Sequence, residues 1–168
     1  MLGSHVDSIL RNAECDILVT RIKTLTPDDV TSVPVPVAGH PHGEFTVETA
    51  AAVDRQNDAT VTLLHVHESK SDEISRDDAT ALLDETAAAF DDVRSIDREL
   101  IESDDVAGTI TDWTTTHDVT VLGVSRGGII QRKLLGSISE AVGRHAAGSV
   151  ILAKRYDPVP SPLRRLLP

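Results

Sequence analysis

The sequence predicts an α/β fold: a three-layer α/β/α sandwich on a five-stranded, mainly parallel sheet. Three observations predict it. Short β-branched apolar runs alternate along the chain with segments of helical period, and such alternation implies crossover connections that cover both sheet faces. The 168 residues suffice for one domain with a full core, and not comfortably for two. Apolar residues make up 40% and aromatics 2%, so the core is aliphatic.

The elements follow in order. Residues 33–37 form the first apolar run, and a loop holding Gly39, Pro41 and Gly43 leads into an Ala-rich helix over about 44–56. Pro34 and Pro36 stand two apart, so both missing N–H groups face the same neighbour. Pairing on that side is weak, or the strand is short. Residues 60–66 are β-branched and apolar, a buried strand. Ala79, Leu82, Leu83, Ala87 and Phe90 share one helical face. Residues 93–101 alternate with charges and suit a sheet edge. Val106, Ile110 and Trp113 mark a third helix, with Trp113 in the core and Asp104 or Asp105 as its N-cap. Residues 119–123 and 150–153 complete the strands.

The two ends of the chain are alike. A shift of 133 aligns residues 3–21 with 136–154, with four of 19 positions identical: Gly3, Ser4, Arg11 and Ala13 match Gly136, Ser137, Arg144 and Ala146. Both copies open with a capping-box-like start, Ser4 with Asp7 and Ser137 with Glu140, and both close in a strand. Cys15 falls where the second copy has Gly148, which reads as an inert small residue. The domain reading is therefore a closing helix and strand of a preceding, similar copy over 1–21, a linker over 22–31, the main domain over 32–155, and a stiff Pro-rich tail over 156–168.

The charge excludes several functions. The formal net is −11, which disfavours nucleic acid and anionic membrane surfaces. Asp outnumbers Glu 18 to 9 and Arg outnumbers Lys 12 to 4, a surface that a salt-filled cytoplasm favours because repulsion is screened there. No apolar run reaches the ~18 residues of a membrane span, the start lacks the features of a signal peptide, and the lone Cys15 fits a reducing cytosol. The expectation is a cytoplasmic protein from a salt-adapted source.

The residues closest to chemistry are 123–137, Gly-Val-Ser-Arg-Gly-Gly-Ile-Ile-Gln-Arg-Lys-Leu-Leu-Gly-Ser, between a strand and an expected helix start at Ser137. Glycines let backbone N–H groups close on an anion, and a helix start adds partial positive charge. Ser137 could donate to a phosphate, and Arg126, Arg132 and Lys133 could neutralise it. Tight turns and a plain N-cap are the alternative. No Gly-Lys-Ser/Thr ending makes this a Walker loop, and it is no dinucleotide fingerprint.

The arrangement resembles the universal stress protein family over about residues 31–155. Members carry Gly, two residues, Gly, nine residues, Gly, then Ser or Thr; here Gly123, Arg126, Gly136 and Ser137 fill those places. Leu63-Leu64-His65-Val66 is similar to the family's second strand, whose end lies beside the adenine. The resemblance implies an adenine-nucleotide alpha-hydrolase-like sheet of order 3-2-1-4-5. It also implies a candidate nucleotide site at Ala38, Val66, Gly123, Arg126, Gly127, Gly136, Ser137, Ile138 and Ser139, in degenerate form. Arg126 replaces the second glycine, at a cost of ~1–2 kcal/mol if φ is positive there. Ala38 replaces the Asp that contacts the base in nucleotide-binding members, a loss of about 1.5–3 kcal/mol. Together they weaken affinity roughly 10²- to 10³-fold, unless Arg126 grips a phosphate itself.

Other candidates are weaker. His40 with His42, and His65 with His67, each place two imidazoles on one side of an extended segment, but neither pair has a third ligand placed to complete a metal site. No catalytic triad has motif context. The expectation is a non-catalytic regulatory or dimerisation domain with no cofactor and no metal; the alternative is an ATP- or AMP-binding stress sensor with at most slow hydrolysis. By resemblance it pairs as a homodimer, or with a tandem copy, through its last strand, an edge that the strand near 17–19 could occupy intramolecularly. Tandem domains of this family are often attached to membrane transporters, which suggests the cytosolic part of a haloarchaeal transporter.

Overall fold

The computed structural model describes residues 6, 8–9, 13–23, 30–38, 43–68, 74–91, 93–124 and 131–156, with 131–137 as backbone only. After a strand β1 (Ile17–Arg21), the chain alternates β2 (Ser32–Pro36), α1 (Glu44–Asn57), β3 (Thr60–His67), α2 (Arg76–Ala88), β4 (Ile96–Glu102), α3 (Val106–Trp113), β5 (Val119–Gly123), α4 (Gln131–His145) and β6 (Ser149–Lys154). The fold is the expected α/β sandwich. The linker residues 24–29 and the tail from 157 onward lie outside the described residues.

Local chemistry explains the helix starts. Ser75 caps α2 by accepting from the Asp78 N–H, and Asp77 and Asp78 sit in the first turn, where carboxylates favour the dipole. Asp105, one of the two expected caps, accepts from the Gly108 N–H at 2.8 Å and starts α3. Asp58 ends α1 in the left-handed region at φ 57°.

The strands form two hydrogen-bonded sets, β2-β3-β4 and β5-β6-β1. Within them β2, β3 and β4 run parallel, as do β5 and β6. β2 lies beside β5 without a ladder between them, so the structure departs from the expected single five-stranded sheet of order 3-2-1-4-5: among the described residues the strands make two three-stranded sets that meet at a seam. The two prolines make that seam. Val37 N–H donates to Leu64 O at 2.8 Å, so alternation turns Val33, Val35 and Val37 toward β3, and Pro34 and Pro36, which lack N–H groups, toward β5. Asp118 bridges the seam instead. Its Oδ2 accepts from the N–H and hydroxyl of both Thr31 and Ser32 at 2.9–3.1 Å.

Two aliphatic clusters fill the faces. One holds Val33, Val35, Val61, Leu63, Val121 and Ile151 beneath α1 and α2; the other holds Leu64, Val66, Leu122, Val150 and Leu152 beneath α3 and α4. Trp113, expected in the core, is half-buried at the margin of the second cluster. Cys15 is exposed.

Three elements differ from expectation. β4 begins at Ile96 instead of 93. β1 is a sixth strand, paired antiparallel to β6, so the last strand's edge is occupied from within the chain. α4 begins at Gln131, which corrects the expected helix start at Ser137: Gln, Arg, Lys and two Leu are strong helix formers and carry the helix back toward the glycines. Ser137 therefore lies inside the helix and not at its start, and Glu140 pairs with Arg144 at 3.0 Å one turn on. The matching start at Ser4 and Asp7 lies outside the described residues.

Candidate functional site

In a doubly wound sheet, ligands lodge outside the carboxyl ends of the strands where successive crossovers leave in opposite directions. Here that point is between β2 and β5. The β2–α1–β3 unit puts its helix over the first cluster, and the β5–α4–β6 unit puts its helix over the second. Val37 and Ala38 prolong β2, Val66 and His67 end β3, and Gly123 and Val124 end β5, where Val124 N–H donates to Ala153 O at 2.8 Å.

Gly123 is needed for packing. A Cβ there would approach Thr46 Oγ1 to 2.7 Å, so its missing side chain lets α1 close on β5. Thr46 is itself buried with its hydroxyl unpartnered among the described residues, as are His65 Nε2 and His67 Nδ1 at the same end of the sheet. His65 is buried, with Nδ1 2.8 Å from Val37 O, so this ring holds the end of β2 to β3.

The start of α1 has no side-chain cap at Gly43 and carries Glu44 in its first turn. Arg155, just beyond β6, gathers these acids: its guanidinium meets both Glu48 oxygens at 2.7 and 2.8 Å, Glu44 at 3.3 Å, and lies 5.5 Å above the Phe45 ring. Hydrogen bonding to Glu48 raises the guanidinium pKa above its ordinary value, outweighing desolvation, with the charges of Glu48, Asp16 and Glu44 adding to it.

Of the expected site residues, the structure brings Ala38, Val66 and Gly123 to this end, with Ala38 exposed and Val66 buried. Ile138 is half-buried and Ser139 buried, both on α4. Gly136 and Ser137 lie within that helix. Arg126 and Gly127, like His40 and His42, fall outside the described residues. His65 and His67 belong to no group of three metal-ligating side chains among the described residues. Sequence reasoning missed Thr46, Asp118 and Arg155. Asp118 stood in the sequence only as a carboxylate just before a strand; its pairing with Thr31 and Ser32, like that of Arg155 with acids over 100 residues away, left no local signal.

The fold defines a doubly wound α/β domain whose switch point lies between β2 and β5. The chain belongs to the universal stress protein family, whose model matches residues 31–154. It is similar to a universal stress protein solved in complex with cAMP, at 18% identity and TM-score 0.56, over 73% of this chain and 95% of that one. It is likewise similar to one from Archaeoglobus fulgidus in complex with dAMP, at 17% identity and TM-score 0.59, over 74% of this chain and 98% of that one. A further Archaeoglobus fulgidus universal stress protein matches at 16% identity and TM-score 0.62, over 94% of this chain but 59% of its own length. No curated protein sequence matches the chain.

Proposed function

We propose that this chain is a non-catalytic regulatory and dimerisation domain of stress-protein type, working in a salt-rich cytoplasm. The observation that carries the reading is the antiparallel pairing of β1 with β6. The edge of β6 is the surface through which such domains are expected to pair, and β1 fills it in place of a partner. The surface then governs assembly with a second domain, whether free or attached to a membrane transporter. No helix among the described residues is long and apolar enough to cross a membrane. The test is Val19→Pro. Val19 sits at the centre of the β1–β6 register, and proline there removes an N–H that faces β6. Light scattering in molar KCl should show a monomer for the parent chain and a dimer for the variant; a variant that stays monomeric overturns the reading.

A second reading, an adenine-nucleotide sensor, is favoured by the orphaned polar atoms of Thr46, His65 and His67 and by the cAMP and dAMP complexes of two similar proteins. The described side chains fit a nucleotide poorly: Ala38 presents no acceptor to a base, and Arg155 is committed to Glu44 and Glu48. Calorimetric titration with ATP and with AMP should show no micromolar binding. Micromolar affinity lost in Ser137→Ala would replace the first reading with this one.

A further inference from the structure

The seam divides the chain as well as the sheet. β2, β3 and β4 with α1 and α2 form one set, and β5, β6 and β1 with α4 form the other. The chain passes between the sets only through residues 22–31 and 103–118. Half of the ladder that would join them is missing for a covalent reason. Alternation turns Pro34 and Pro36 toward β5, and neither has an N–H to donate. Packing and a few side chains therefore hold the sets together.

The polar tethers at the two ends of the seam are unequal. At the strand starts, Asp118 Oδ2 accepts from the N–H and hydroxyl of both Thr31 and Ser32, and the Asp118 N–H donates back to Ser32 Oγ at 3.1 Å. Val33 and Val61 of the first set share one buried cluster with Val119 and Val121 of the second. At the carboxyl ends the tether is Arg155, just beyond β6, on Glu44 and Glu48 of α1. These three side chains are 37%, 76% and 58% exposed, and exposed ion pairs contribute little because water competes for both partners. At that same end, Thr46 Oγ1 and His65 Nε2 are buried without a partner among the described residues, and an unpaired buried polar atom favours any state that lets water reach it. α1 reaches across the seam onto β5 and β6, where the missing side chain of Gly123 lets Thr46 close in.

We propose that the seam is a hinge: the two sets pivot at Asp118 and part at their carboxyl ends as α1 lifts from β5, and the contact of Arg155 with Glu44 and Glu48 is the latch that keeps them closed. Both aliphatic clusters cross the seam, so the motion is a wedge at one end and not a separation. It uncovers Thr46 and His65, and it makes access to the switch point a property of the latch. The hinge is independent of the role proposed for the pairing of β1 with β6.

Amide exchange by NMR reads the two ends separately. Val124 N–H faces β6, so alternation along β5 turns the Leu122 N–H toward β6 as well, and the Gly123 and Val119 N–H groups toward the seam. In Arg155→Gln, exchange at Gly123 should quicken about 10-fold, while Val119 beside the pivot and Leu122 on the β6 side keep their rates. Glu48→Gln, made on the other side of the seam, should quicken Gly123 to a smaller degree. Adding it to Arg155→Gln should bring no further gain, because both changes break one contact. An unchanged Gly123 rate in Arg155→Gln overturns the proposal. So does an equal quickening at Gly123 and Leu122, which would mean that the end of β5 frays without a hinge. Full additivity in the double variant overturns it too, since the two side chains would then not act through each other.

Discussion

Two aspartates show how position decides what one side chain contributes. Asp118 sits at the seam between the two ladders and accepts four hydrogen bonds from Thr31 and Ser32. Burial alone would raise its pKa, but those bonds outweigh burial and hold it below the ordinary 3.8. A carboxylate lowered on folding contributes stability at pH values above 3.8 and loses it as pH falls through the folded value. Asp118→Ala should therefore cost about 2–3 kcal/mol in urea unfolding at pH 7, and that difference should shrink toward pH 2. Asp54 is the opposite case. It is buried in α1 with one oxygen unpartnered among the described residues, and burial, then the charge of Asp58, raise its pKa despite Arg94 and Arg55. The fold favours its neutral form, so its contribution is intact below pH 3.8 and is lost as pH rises through the folded value. Asp54→Asn should stabilise the domain by roughly 1 kcal/mol at pH 7 and by nothing at pH 3. A gain that persists at pH 3 would show that ionisation is not the cause.

At the scale of elements, what the sequence made legible is whatever rested on local chemistry. Pro34 and Pro36 announced a side of β2 that cannot donate, and the structure puts the seam there. The 133-residue shift between the two ends announced β1, and the helix periods placed α1 and α2 because apolar spacing is a direct record of burial. The start of α4 was misplaced for an equally physical reason: a motif ending in Gly-Ser suggested a cap, while the helix-forming residues just before it extend the helix to Gln131. In the candidate site, Ala38, Val66 and Gly123 were legible as strand ends. Thr46 and Arg155 were not, because their roles arise from packing between α1, β5 and β6, which no local pattern encodes. Arg155 reaches Glu44 and Glu48 only after the crossovers bring the end of β6 beside the start of α1.

Across the whole molecule, charge weighs most on stability. With 27 acidic and 16 basic residues, the folded domain concentrates a net −11, and self-repulsion opposes compaction. The described ion pairs offset little of this: Arg76–Glu102, Arg94–Asp58, Arg98–Asp84 and Arg144–Glu140 all involve well-exposed side chains, and such pairs contribute about 0–1 kcal/mol each. Screening is the remaining remedy. The Debye length falls from about 10 Å at 0.1 M salt to about 3 Å at 1 M, which silences most pairwise repulsion across a domain of this size. The melting temperature should therefore climb steeply between 0.1 and 1 M KCl. If screening is the cause, a variant with five exposed aspartates changed to asparagine, Asp77, Asp84, Asp91, Asp97 and Asp112, should start higher at 0.1 M and gain less on adding salt. Equal salt gains in both proteins would assign the effect to salting-out of apolar surface, which is indifferent to net charge. The comparison is made by thermal unfolding across a KCl series, and its sign separates a charge-limited fold from one limited by its small aliphatic core.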